Sequence, residues 1–421
     1  MMTQAYYTGI SGLQNSSYGI DIVSDNLANV NTTGYRGNSY EFASLFEESL
    51  ATVDNISSNS VGLGTSIQAT PMTEKQGSFL LTERSTDLAI LGDGWFGVQR
   101  EGEPLYTRNG AFTFDSSADL VTTDGYHVLG TMGGNIDGET LTEQLAEVPL
   151  ADVAAQEKLR FPKTLNYPPQ PTTTVEFSGN IGTEEAIRKM SSTVVDANGE
   201  KNELRLEFTK TDPQTPPGIQ WNVVATTRTL NSDGEDSLIY DTQEGIVSFD
   251  EKGALISSTL GTIDNNGTPI TIDLGSGFDG IVAIANSAIT SSAAADGTVG
   301  GDLEGYDINK NGEVIATFTN GMQSSVGKVA VYHFQNDQGL NRVSGTYFST
   351  SSNSGKPIFY QDASGENITG TDMTNFKLEG SNVDMTAGLT DLIILQRSYD
   401  ANSKSITTAD EMIQKALNMD A

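Results

Sequence analysis

The sequence predicts a mainly β protein with an α-helix at each terminus, its domains nested one inside another. Three observations predict it. An apolar residue recurs at heptad spacing near both ends: Leu13, Ile20 and Leu27 at the start, and Met385, Leu392, Tyr399, Ile406 and Ile413 at the finish. Between them run short alternating segments closed by glycine turns, in a chain with 36% apolar residues and 44 glycines, a composition that suits modest cores and many turns. A proline-rich stretch and a Ser/Ala/Gly-rich stretch bracket a central β-rich region, which therefore reads as an insertion.

Residues 3–29 read as one helix, stopped by the turn-forming run Asn31-Thr32-Thr33-Gly34. Ile10 and Val30 flank its stripe. Gly9, Gly12 and Gly19 weaken it, each by up to about 1 kcal/mol relative to alanine. Such a helix is expected to fold only when its seam is occupied. Residues 31–71 form a connecting region of mixed polarity with a short helix around Phe42 to Leu50.

From Met72 the pattern turns to short strands. Leu88-Ala89-Ile90-Leu91 precedes Gly92-Asp93-Gly94, Ala111-Phe112-Thr113-Phe114 precedes Asp115, and Asp124-Gly125 introduces a strand at Tyr126 to Leu129. Pro162, Pro168, Pro169 and Pro171 mark an extended linker over 162–171. Residues 172–289 form a second β-rich domain, alternating at Glu203 to Phe208 and at Ile219 to Val223, with turns at Asn198-Gly199, Asp233-Gly234 and Asn266-Gly267. The stretch 290–301 reads as a return linker. Strands resume at Gly312 to Phe318 and Val329 to Phe334, and the polar residues 361–381 lead into the C-terminal helix.

In that last helix Leu389 and Leu417 take the complementary heptad position, shared with Gln396, Ser403 and Asp410. A two-stranded coil prefers leucine there. Polar residues suit a helix with several neighbours, or one lining a wet channel. The seams are expected to pair with each other, with neighbouring copies, or with both, through Ile10, Leu13, Ile20, Leu27, Met385, Leu389, Leu392, Tyr399, Ile406, Ile413 and Leu417. The expected layout is a terminal helical assembly domain (1–30 with 382–421), a connecting region (31–71 with 361–381), a first β-domain (72–171 with 290–360) and an inserted second β-domain (172–289). Both termini then lie at one pole.

Composition narrows the function classes. A net charge of −32 disfavours nucleic acid and anionic membrane surfaces. The absence of cysteine removes disulfides, thiolate metal sites and cysteine nucleophiles. Two histidines, His127 and His333, give no metal or Ser-His-Asp constellation. No stretch reaches the roughly eighteen apolar residues of a membrane span. The start, MMTQAYYTGI, has neither a basic n-region nor an apolar core, so no signal peptide is expected there.

Two motifs invite chemistry and read better as turns. Gly275-Ser276-Gly277-Phe278-Asp279-Gly280 matches a dinucleotide fingerprint, but no helix or βαβ unit follows it. Asp307-Ile308-Asn309-Lys310-Asn311-Gly312 begins like a calcium loop, but its twelfth position is Phe318 rather than a bidentate glutamate. The carboxylate pairs Glu47-Glu48 and Glu184-Glu185 read as solvated faces. No catalytic, cofactor or metal site is expected.

Several segments resemble a known family. Gly9-Ile10-Ser11-Gly12-Leu13, Asn26-Leu27-Ala28-Asn29 and Asn31 to Arg36 are similar to the start of the bacterial flagellar rod and hook proteins. Asp87 to Ile90 with Gly92 to Phe96, Tyr106 to Phe112, and the ending from Ser381 through Gln396-Arg397-Ser398-Tyr399 to Met412 extend the resemblance. Trp95 stands where that family more often has a phenylalanine. Among its members the length favours the hook branch, because the rod proteins lack an inserted domain, and the insertion is where the resemblance is weakest.

The resemblance implies a structural subunit that self-assembles into a curved flexible tube, a universal joint transmitting torque from rod to filament. It implies a homopolymer in contact with the distal rod protein, the hook cap protein and the hook–filament junction protein. It also implies export by the flagellar type III apparatus without a cleaved signal, to an extracellular place in the flagellar basal body and hook. The alternatives are a distal rod or hook-associated axial protein and, in a different class, a secreted β-rich adhesin or enzyme. The last leaves the twin seams unexplained.

Overall fold

The computed structural model describes residues 2–44, 48–49, 60–61, 64–184, 187–214, 218–230, 238–285 and 289–419. Its two long helices are α1 (Met2–Ala28) and α2 (Met385–Met419), and the elements described between them are β-strands apart from two three-residue 3-10 turns.

The first β-body draws on both halves of the chain. Among the described residues it is one 15-stranded sheet. His127–Met132 lies between Trp95–Gln99 on one side and Gln323–Val329 on the other, so an early hairpin is sealed by a late one. Its core shows why the halves cannot part: Leu88, Phe96, Phe112 and Leu120 pack with Val314, Phe318, Val326 and Val331, all buried. A second cluster holds Trp95 edge-on to Phe348 and Tyr106 edge-on to Phe334. Trp95 is 2% exposed, in keeping with an aromatic chosen for burial.

The inserted body is a two-layer arrangement. A five-stranded antiparallel meander runs from Ile187–Val195 to Leu255–Ser258, and a six-stranded mixed sheet is built around Thr174–Asn180. The alternation seen at Glu203 to Phe208 lies within Lys201–Lys210, with Leu204, Leu206 and Phe208 buried and the residues between them turned outward. Trp221 joins them from the neighbouring strand, and their partners across the core include Val175, Phe177, Ile263 and Ile270. Asn266 and Gly267 both take positive φ, the requirement of a type I′ hairpin.

Four sequence expectations need correction. Phe42 is in a strand, Glu41–Ser44, whose Phe42 faces Ile67 of Thr65–Ala69; the cross-strand partner overrides the helical reading. Of the remainder of that expected helix, residues 45–47 and 50 lie outside the described residues, as does Asp233-Gly234. The proline stretch is not a free linker: Asn166–Tyr167 pairs with Gly301–Ile308, and Leu165 and Tyr167 sit in the first core. Prolines at strand margins lose no ladder bond, so they did not prevent pairing.

The Ser/Ala/Gly stretch is no linker either. Ser292–Ala295 pairs with Thr174–Asn180, placing Ala293 and Ala295 against the second core. The two crossings instead meet at Gln170 and Thr298, whose backbones exchange hydrogen bonds of 2.7 and 2.9 Å. Finally, 361–381 is ladder rather than connector: Asp372–Asn375 pairs with Leu88–Leu91, and Lys377–Glu379 with Phe79–Leu81.

Both chemistry-like motifs are hairpins. Gly275–Ser276 pairs with Asp279–Val282. In the second, Asn309 Oδ1 accepts from the backbone N–H of Asn311 (2.8 Å) and Glu313 (3.0 Å), so the oxygen a cation would need closes the turn.

Candidate assembly interface

α1 and α2 pack antiparallel, and the contact is made by glycine. A Cβ on Gly9 would stand 2.8 Å from Ile406, one on Gly12 2.7 Å from the Asn402 amide, and one on Gly19 2.9 Å from Leu395. Gly388 of α2 receives Leu27 in the same way. With Ser16 and Val23 these residues follow alternating spacings of three and four, a heptad seam written in small residues. Ser16 donates to the Gly12 carbonyl (2.8 Å) and reaches Ser398 Oγ across the interface (3.3 Å). The glycines that lower helix propensity are therefore what lets the helices approach.

This placement shifts the expected stripes. Leu27 and Ile406 meet the seam glycines directly, and Ile10, Leu13, Ile20, Leu392 and Ile413 are half-buried along it. Met385, Leu389, Tyr399 and Leu417 are exposed. The second seam position of α2 is the row Gly388, Leu395, Asn402 and Ala409, one residue before the expected row, with Leu395 and Ala409 buried. Gln396 and Asp410 point outward, and Ser403 borders the seam. The cause lies in α1: its glycine face accepts side chains that a leucine ridge would repel, so the partner helix rotates.

After pairing, the hairpin still carries a bare apolar surface. Tyr7, Tyr18, Met385, Leu389, Ile393, Ile394, Met412 and Leu417 are exposed, with Leu417 at 68%. Large contiguous apolar exposure marks an interaction surface.

A buried ionic cluster fastens this hairpin to the first body. Arg36, Arg108 and Glu379 are each no more than 4% exposed. Glu379 accepts from Arg36 at 2.9 Å, from the Gly77 N–H at 3.0 Å, and pairs more loosely with Arg108 at 3.4 Å. Arg36 also donates to the carbonyls of Glu74 (3.1 Å) and Lys75, and Arg108 to that of Gly92. Burial pulls the Arg108 guanidinium down to about 10; Glu379 opposes this and Arg36 adds to it.

Around the cluster, Asn382 accepts from Gly37 N–H and donates to the Thr73 and Lys75 carbonyls, each at 2.8 Å. Asn26 both accepts from and donates to the Asn38 backbone. Arg342 stacks on Tyr35 and Phe348, 4.7 and 5.1 Å from the ring centres. Burial, helped by a hydrogen bond to Asp25, lifts the Tyr35 phenol to about 12. None of these roles was assigned from sequence, although Asn26, Tyr35, Arg36, Arg108 and Asn382 fall in the quoted motifs. The readable signal was small residues at heptad spacing in α1 and a lone arginine just after it.

Comparison with known proteins adds independent findings. Four family models match successive parts of the chain: Flagella basal body rod protein at 7–36, Flagellar hook protein FlgE/F/G D1 domain at 89–166, Flagellar basal body protein FlaE D2 domain at 166–309, and Flagellar basal body rod FlgEFG protein C-terminal at 376–419. The chain is 31% identical to the flagellar hook protein FlgE of Brucella suis, covering 98% of each. It is 29% identical to that of Borreliella burgdorferi over 99% of this chain and 100% of the relative, and 26% identical to that of Escherichia coli over the same shares. A crystal structure of Helicobacter pylori flagellar hook protein FlgE2 superposes with a TM-score of 0.53 at 16% identity, covering 71% of this chain and 100% of the other, a likeness of fold.

Proposed function

This chain belongs to the flagellar hook protein FlgE family and is a structural subunit of the hook, and from that premise we propose that it polymerises through its helical hairpin into a curved, flexible tube. The observation that carries the proposal is the apolar surface left bare on α1 and α2 after they pair. In a tube that surface is covered by identical copies. A contact between two different patches of one chain propagates as a helix rather than closing as a dimer.

The tube is a universal joint, carrying torque from the rod to the filament, and bends because its outer β-bodies meet through polar contacts that exchange easily. Its ends contact the distal rod protein, the hook cap protein and the hook–filament junction protein. The subunit reaches the extracellular hook through the flagellar type III export apparatus, without a cleaved signal. Its role is mechanical, with no catalytic part.

Deleting residues 386–421 is expected to abolish tubes while leaving a monomeric chain whose two β-bodies melt as in the full-length protein. Electron micrographs of normal tubes from the truncated chain would refute the proposal.

A further inference from the structure

The elbow between body and hairpin carries apolar groups that nothing among the described residues covers. Phe79, Leu80 and Leu81 form a strand whose three residues are all exposed, Leu81 at 80%. It pairs with Lys377–Glu379. Next to that strand Phe376 holds a φ of +56° and is 43% exposed, while its carbonyl accepts from Thr82 N–H. A bulky aromatic in the left-handed region is strained, and strain of this kind clusters where a surface is used.

The same chain has a second bare surface of matching chemistry. Met385, Leu389 and Ile393 line the outer side of the first turns of α2, Ile393 at 58% exposure. From Met385 to Gln396 the helix has one charged residue, Asp391, which borders the groove beside Tyr40 and Asn382. At the elbow, Glu379 is buried against Arg36, and Arg84 is paired with Asp87. On a chain with 55 acidic residues against 23 basic, both patches are low in charge, with Glu83 and Asp384 the exposed carboxylates at their margins, so two copies can approach there with little like-charge repulsion. Both stay bare in the single chain, so neither covers the other.

We propose that the elbow formed by Phe79, Leu80, Leu81 and Phe376 is the docking site for the first turns of α2 of a second copy, seated on Met385, Leu389 and Ile393. The inference rests on the hook-subunit reading and deepens it: the elbow is the acceptor, and α2 the donor, of a head-to-tail contact. It also couples the body of one copy to the hairpin of the next, so that bending the tube moves both together.

The absence of native cysteine makes the test direct. Full-length chains carrying Leu81→Cys and Ile393→Cys are mixed under polymerising conditions with mild oxidant. The mixed disulfide is expected to form about tenfold more than with Thr408→Cys as the partner, because a disulfide requires Cα atoms within roughly 7 Å. Leu81→Asp is expected to raise the concentration needed for polymerisation at least about tenfold, the equivalent of losing one buried anchor, with its melting temperature unchanged.

Polymers that form at the wild-type concentration from Leu81→Asp, or a mixed disulfide no more abundant than the Thr408 control, would overturn the docking site and leave the hook-subunit reading standing. Failure of the unmodified chain to polymerise at all would overturn that reading and the docking site with it.

Discussion

Gly19→Leu is expected to separate α1 from α2 and abolish polymerisation, while the β-bodies keep their melting behaviour. Gly19 is buried, and a Cβ there already stands 2.9 Å from Leu395. Three further carbons have nowhere to go unless the helices move apart, which also loosens Gly9 from Ile406 and Gly12 from Asn402. Overpacking a tight seam costs about 1–3 kcal/mol. Against it stands the gain in helix propensity from removing a glycine, about 0.8–1 kcal/mol.

The balance between these terms makes the series informative. Gly19→Ala gains nearly the full propensity and is opposed only by the end of a flexible leucine, so it is expected to be close to neutral. Gly19→Leu gains no more propensity and meets the whole interface. Asp21→Leu, on the exposed side of the same helix, is the control. Circular dichroism of the monomer and negative-stain microscopy of concentrated protein read the two levels separately. Normal tubes from Gly19→Leu would show that the glycine seam does not hold the hairpin in the polymer.

The second large effect is expected at the ionic cluster. Glu379→Ala leaves Arg36 and Arg108 buried, side by side, without the carboxylate that pairs with both, and with only the weaker pull of Asp93 and Asp337 on Arg108. Removing one partner of a buried pair costs about 3–5 kcal/mol, because the remaining charge loses its compensation rather than merely a contact. Arg108 has little in reserve, since its Nε and Nη1 have no hydrogen-bond partner. For a body of this size the loss corresponds to a fall in melting temperature of about 10 °C.

Lys189→Ala provides the contrast. Lys189 and Glu207 pair at 3.4 Å with side chains 53% and 37% exposed, and pairs of that kind are worth less than about 1 kcal/mol. Glu379→Gln is expected to fall between the two, keeping a hydrogen-bond acceptor for Gly77 without the charge. Calorimetry that finds equal melting temperatures for the Glu379→Ala and wild-type chains would show that the cluster does not stabilise the joint.

The helices, the insertion and most strands were legible because each rests on a short-range signal. Leu204, Leu206 and Phe208 announce a half-buried strand within six residues, and Asn266-Gly267 announces its turn. The linkers misled for a related reason: proline, serine and alanine carry weak local preferences, so pairing partners elsewhere in the chain decided whether Asn166–Tyr167 and Ser292–Ala295 became strands.

The seam and the joint had no such signal. A hydrophobic period records side chains, and the contact face of α1 is defined by their absence at Gly9, Gly12 and Gly19, so the apolar stripe was visible while the packing face was not. Arg36, Arg108 and Glu379 lie on three separated segments, and each alone reads as a solvated charge. By itself the sequence determined that two helices enclose a β-rich body with a second body inserted in it, since periodicity and turns are local. Only the tertiary structure decided which helix face is closed, which remains bare, and which charges are buried together, because those depend on what the folded chain brings alongside.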